Sequence, residues 1–117
     1  MPLRCLIVDD NHEFIVSAST LLSSQGMEIV GTTSTGPDAI RQAESLRPDV
    51  VLVDVQLGDE DGLELARQLD ERIPGIAMVL ISTHSREDVM ELAADSPAAG
   101  FLPKTALSAE AIASLVD

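Results

Sequence analysis

Five short apolar runs punctuate the chain: LRCLIV at 3–8, MEIVG at 27–31, DVVLV at 49–53, IAMVLI at 76–81 and AGFL at 99–102. A strand wetted on one face alternates apolar with polar residues. These runs do not, so several are expected to be covered on both faces, as in a parallel sheet. Between them the spacing turns helical. In the first interval Phe14, Ala18, Leu21, Leu22 and Gln25 predict one apolar stripe, with Gly26 as the stop. In the second, Pro37 suits a first helical position, Ala39, Ile40, Ala43 and Leu46 form the inward face, and Pro48 ends the helix. The third is expected over 61–72 with Leu63, Ala66 and Leu69 inward, closed by Pro74 and Gly75. A short alanine-rich helix is expected over 86–94, and a fifth opens at Ser108, a good N-cap with an acid at Glu110.

Strand and helix alternate five times with short loops, the pattern of an open α/β sheet with helices on both faces. No repeat, linker or low-complexity segment interrupts 1–117, so one domain is expected, with its last helix clipped at Asp117. In such sheets the functional crevice lies beyond the carboxyl ends of the strands. There the chain places Asp9 and Asp10 after the first run, Asp54 after the third and Ser82 and Thr83 after the fourth. After the fifth comes Lys104, the one lysine among seven basic residues.

Composition narrows the options. Aromatics are 2% against a hydrophobic fraction of 45%, so aliphatic side chains must fill the core. A formal charge of −13 repels a phosphate backbone, which excludes direct nucleic-acid binding by this segment. The single cysteine, Cys5, permits no internal disulfide and sits in an apolar run, where a buried and inert thiol is expected. No apolar run approaches membrane-spanning length and no signal peptide is recognisable, so a cytoplasmic location is expected.

Taken singly, the rim residues have plain readings. Asp9 and Asp10 fit a solvated turn or a helix N-cap with Asn11, Asp54 a loop acid, and Ser82 a turn residue. Their arrival at one sheet edge changes the picture. Two carboxylates 4 Å apart repel by about 4 kcal/mol at an effective dielectric near 20, so positive charge is expected among them. Magnesium suits hard oxygens and few protein carboxylates, and Lys104 supplies a fixed charge that neutralises an acid or an incoming phosphoryl group.

IVDD at 7–10, VLVDVQLGDEDGLEL at 51–65, VLIST at 79–83 and GFLPK at 100–104 together resemble the signature segments of the receiver domain of two-component response regulators, in order and across essentially the whole chain. The resemblance implies the flavodoxin-like (CheY-like) three-layer αβα sandwich, a five-stranded parallel sheet of order 2-1-3-4-5. It implies Asp54 as phosphoacceptor from a histidine kinase or phosphotransfer protein, with Asp9, Asp10, Asp54 and the backbone carbonyl of Gln56 holding Mg2+. Lys104 and Ser82 would bind the phosphoryl group, Phe101 would be the aromatic switch, and Gln56, Thr83 and His84 would tune hydrolysis. Output would pass to an attached or separate domain, and a homodimer through the fourth helix, fifth strand and fifth helix is one arrangement it allows. The GFLPKTALS pattern is similar to receivers joined to LuxR-like helix-turn-helix domains.

The chain also departs from the family. Many members have proline after the lysine with a cis bond between them, and here Thr105 follows, with proline before it as Pro103. If that geometry were kept, a cis non-proline bond would cost roughly 2.5–4 kcal/mol. Where a Pro-Gly pair is common after the acceptor, this chain has Gly58-Asp59 and further acids at Glu60 and Asp61, expected to be a solvated loop. Phe101 is also a natural core filler, and His84 a surface turn residue. A stand-alone phosphorelay receiver and a phosphorylation-independent pseudo-receiver remain as alternatives. A haloacid-dehalogenase phosphatase uses similar groups, but its DxD after the first strand is absent here.

Overall fold

The computed structural model describes residues 2–83 and 95–116, so the helix expected over 86–94, and His84, lie outside the described residues. Five strands form one sheet: β1 (Arg4–Val8), β2 (Glu28–Thr33), β3 (Val50–Asp54), β4 (Met78–Ser82) and β5 (Gly100–Pro103). Every pairing is parallel and the order is β2-β1-β3-β4-β5, the flavodoxin-like arrangement the resemblance implied. Register aligns Val8 with Val53, Asp54 with Ile81 and Ser82 with Pro103, so the strands finish nearly level. Pro103, which has no N–H to donate, is tolerated because β5 is an edge strand.

The aliphatic runs lack alternation because each residue is covered from one side or the other. One layer joins Leu6, Val8, Val51, Val53, Met78 and Leu80 to Ala39, Ala43, Leu65, Ala66 and Leu69 of two helices, α2 (Gly36–Leu46) and α3 (Gly62–Arg72). The opposite layer joins Ile7, Val50, Leu52, Val79 and Ile81 to Ile15, Ala18 and Leu22 of α1 (His12–Ser24) and to Ile112 of the last helix (Ala109–Val116). Each fully buried Val, Leu or Ile contributes about 1.5–3 kcal/mol, so the central strands are the strongest part of the fold. Cys5 lies in the second layer, as expected, and burial pushes its thiol up to about 12.

Helix boundaries follow their caps. Thr35 and Ser108 accept from the amides of Asp38 and Ala111 to open α2 and the last helix. Arg47 closes α2 in the left-handed region, and Gly26, at φ +94°, stands just beyond α1. The stripe of α1 differs from the expectation. Ile15, Ala18 and Leu22 are buried while Leu21 is 41% exposed, so the buried face is turned by about 50° from the expected one, half a residue step around the helix. Asn11 caps the helix, its side chain accepting from the amide of Phe14 and setting where the first turn begins.

The loop after β3 is also more ordered than expected. Gln56–Leu57 pairs antiparallel with Glu60–Asp61. Asp61 caps α3 by accepting from the amide of Leu63 at 2.9 Å. Glu60 reaches across to accept from the amide of Gly36 at 3.0 and 3.2 Å, a carboxylate placed at the positive end of α2.

Candidate functional site

The four buried polar or charged residues described are Asp9, Thr33, Asp54 and Ser82, and all stand at the carboxyl ends of β1–β4. Each is carried inward by the strand that precedes it. The amide of Asp9 donates to the carbonyl of Thr33 at 3.0 Å, continuing the ladder of β1 with β2 one residue past the strand. Its Oδ1 accepts from the amide of Asn11 at 2.9 Å, and the chain then turns, leaving Asp10 exposed. Asp54 ends β3, and its Oδ1 accepts from the amide of Gln56 at 3.0 Å.

The strand end at Asp54 is held from behind. The amide of Val55 donates to the carbonyl of Ile81, and that of Gly62 to the carbonyl of Val55, both at 3.0 Å. This draws the start of α3 so close that a Cβ at Gly62 would lie 1.8 Å from the carbonyl oxygen of Asp54. Only glycine fits there.

Lys104 opens a single 3-10 turn directly after β5 and points back over the rim. Its ammonium lies 2.7 Å from Asp9 Oδ2 and 3.1 Å from Asp54 Oδ2, with its side chain 10% exposed. Asp9 is thus the nearer of its two partners. Asp9 Oδ2 meets no donor in hydrogen-bond geometry among the described residues, so the contact is one of charge. Burial is the main cause of a raised Asp9 carboxyl, opposed by Lys104 and the Asn11 amide and reinforced by the charge of Asp54. Burial alone would lower Lys104, but the carboxylates of Asp9 and Asp54 beside it outweigh that and hold the ammonium above the ordinary lysine range. The two partners shift the same way because one cation is shared between two acids while Asp9 bears the full desolvation.

Three carboxylates, from Asp9, Asp10 and Asp54, each bring one oxygen within 4.8 Å of the others. Against them stands a single ammonium. A buried carboxylate oxygen without a hydrogen bond, an all-oxygen donor set and the surplus of negative charge fit a divalent cation. The adjoining cavity, about 300 Å³, is lined by Asp10, Asn11, Asp54, Gln56, Gly58, Ser82, Thr83 and Lys104. A larger groove of about 990 Å³ between α2 and α3 lies away from these groups. Its charged side chains are partly solvated, as in the 3.5 Å pair of Arg72 with Glu44, so size does not mark the site.

The structure thus brings together Asp9, Asp10, Asp54, Ser82, Thr83, Gln56 and Lys104. Phe101 is half-buried in β5, aligned with Leu80 and packed against the α2–α3 layer. No cis peptide bond occurs among the described residues, Lys104–Thr105 included. Sequence reasoning missed Phe14, whose ring centroid is 4.3 Å from the Lys104 ammonium, and Gly62. Phe14 sat inside an apolar stripe, which made it indistinguishable from core. No described helix is long and apolar enough to cross a membrane.

Comparison with known proteins agrees with this geometry. Residues 5–116 match the model of the family described as the response regulator receiver domain. The response regulator protein VraR of Staphylococcus saprophyticus is 33% identical over 106 residues, which cover 90% of this chain and 51% of that protein. VraR of Staphylococcus aureus is 32% identical over 117 residues, 99% of this chain and 56% of the relative. The chain therefore spans about half the length of these curated relatives. The receiver domain of the response regulator NarL from Mycobacterium tuberculosis superposes with a TM-score of 0.83 at 28% identity, covering 98% of this chain and 93% of that one. With its parallel sheet, its acids at the strand ends and its family match, the chain belongs to the response regulator receiver domains of two-component signalling.

Proposed function

We propose that the domain is a phosphorylation-dependent switch in which Asp54 accepts a phosphoryl group from a phosphohistidine on a partner kinase. One carboxylate oxygen of Asp54 attacks phosphorus, the bond from phosphorus to the imidazole nitrogen breaks, and the imidazole leaves to take a proton from solvent. The observation that carries the reading is the Lys104 ammonium bridging Asp9 and Asp54 at 2.7 and 3.1 Å beside an open cavity. A positive group fixed before the reaction stabilises charge on the transferring oxygens without reorganising. Asp10, Asp54 and the carbonyl of Gln56 would hold Mg2+, with Asp9 through a water. Bound there, the ion would neutralise phosphoryl charge as the lysine does. Ser82, buried at the rim, would bond the phosphoryl group, and Phe101 would turn inward with it.

The signal then passes through the surface of β5 and the last helix to an output module. Relatives about twice as long as this chain, and the GFLPKTALS pattern, support an attached helix-turn-helix domain as that module. A domain with a formal charge of −13 leaves DNA contact to such a partner. The test is intact-mass spectrometry after incubation with acetyl phosphate and magnesium. One added phosphoryl group is expected on the wild type and none on Asp54→Asn or in EDTA. An adduct that persists in Asp54→Asn, or none on the wild type even with beryllofluoride binding also negative, overturns the reading in favour of a pseudo-receiver.

A further inference from the structure

We propose that Phe14 is a positioning residue of this site: its ring holds the Lys104 ammonium over the rim and thereby sets how fast Asp54 takes up a phosphoryl group. The inference rests on reading Asp54 as the acceptor. The ammonium lies over the Phe14 ring, 4.3 Å from its centroid, inside the distance at which a cation is drawn to an aromatic face. With the side chain only 10% exposed, water screens that attraction little. A lysine stem is flexible, and one of its two carboxylate partners is lost once Asp54 carries a phosphoryl group. The ring is the third contact, and it attracts the cation across its whole face. The ammonium can therefore shift from carboxylate to phosphoryl oxygen without being released to solvent.

The placement of Phe14 is tied to the acids it serves. Asp9 Oδ1 accepts from the amide of Asn11 at 2.9 Å, and Asn11 Oδ1 accepts from the amide of Phe14 at 3.1 Å. One short turn thus seats the carboxylate that binds Lys104 and aims the ring that covers it. From beneath, the half-buried ring packs against the layer under α1. If Phe14 were only filler there, leucine would serve as well.

Because the chain has one lysine, labelling lysine at Cε yields one NMR signal for this side chain. In the wild type its Hε protons are expected upfield of free lysine from the ring current, and close to the free position in Phe14→Leu. A wild-type signal at the free position overturns the contact, whatever the phosphorylation chemistry. In the acetyl phosphate assay Phe14→Leu is expected to react about 3- to 10-fold more slowly, from a desolvated cation–π contact. Phe14→Tyr should restore the rate, and calorimetric Mg2+ binding should be equal in all three proteins. In a Lys104→Met background, position 14 should make no difference. Equal rates for Phe14→Leu and wild type, or a slow variant that has also lost Mg2+ binding, overturn the positioning role. A wild type that takes up no phosphoryl group removes the acceptor reading and the rate effect with it, while the lysine signal still decides the contact.

Discussion

The two ends of the central sheet handle charge in opposite ways. At the amino end Arg4 is hydrogen-bonded through its backbone to Asp49 at 2.8 Å, through its guanidinium to the Arg47 carbonyl at 3.0 Å, and faces Glu28 at 3.8 Å. Arg4 and Glu28 are 38% and 59% exposed, so these groups are matched and largely solvated. At the carboxyl end three acids crowd one ammonium, and two of the acids are buried. The first arrangement is what a protein does with charge it needs only for solubility. The second opposes folding and is retained where the imbalance is to be used; on the proposed reading it draws in a cation.

Three substitutions test that contrast. Gly62→Ala is expected to be the most damaging, lowering stability by more than about 3 kcal/mol, because a Cβ would collide with rigid backbone. A urea transition with an unchanged slope and a much lower midpoint would show it. Next, Lys104→Met leaves Asp9 and Asp54 without their cation and should cost about 3 kcal/mol in EDTA. Adding magnesium should recover more stability in this variant than in the wild type, and an equal gain in both would mean that lysine and metal do not share the same negative charge. Last, Arg4→Met at the opposite end should cost less than about 1 kcal/mol, with no dependence on magnesium. A loss from Arg4→Met as large as that from Lys104→Met would erase the distinction between the two ends.

The strands were legible because residues such as Val50–Val53 and Met78–Ile81 are aliphatic without a break, and only a doubly covered strand needs that. The site was legible in outline for a related reason: Asp9, Asp54 and Ser82 follow such runs directly, where burial continues one residue too far for a polar side chain without a purpose. What escaped notice depended on distances between segments. Leu21 and Ile15 are both apolar, and which of them turns inward is decided by how α1 packs on the sheet. Glu60 looked like solvated loop because nothing near it in sequence predicts that Gly36 lies opposite. Asp9 rather than Asp54 as the nearer partner of Lys104 is a matter of tenths of an ångström, which follow from how the last strand and its 3-10 turn deliver the lysine.

Gly62 carries no chemistry, yet it bears on how this domain can change over evolutionary time. Gln56 and Thr83, proposed to tune the reaction, line the open cavity and have room to vary, so on that reading reaction rates can drift through them. Position 62 has no such latitude, since its missing side chain is the space occupied by the carbonyl of Asp54 itself. A library of functional variants would therefore show diversity at such lining positions and a single amino acid at position 62, which never touches a substrate.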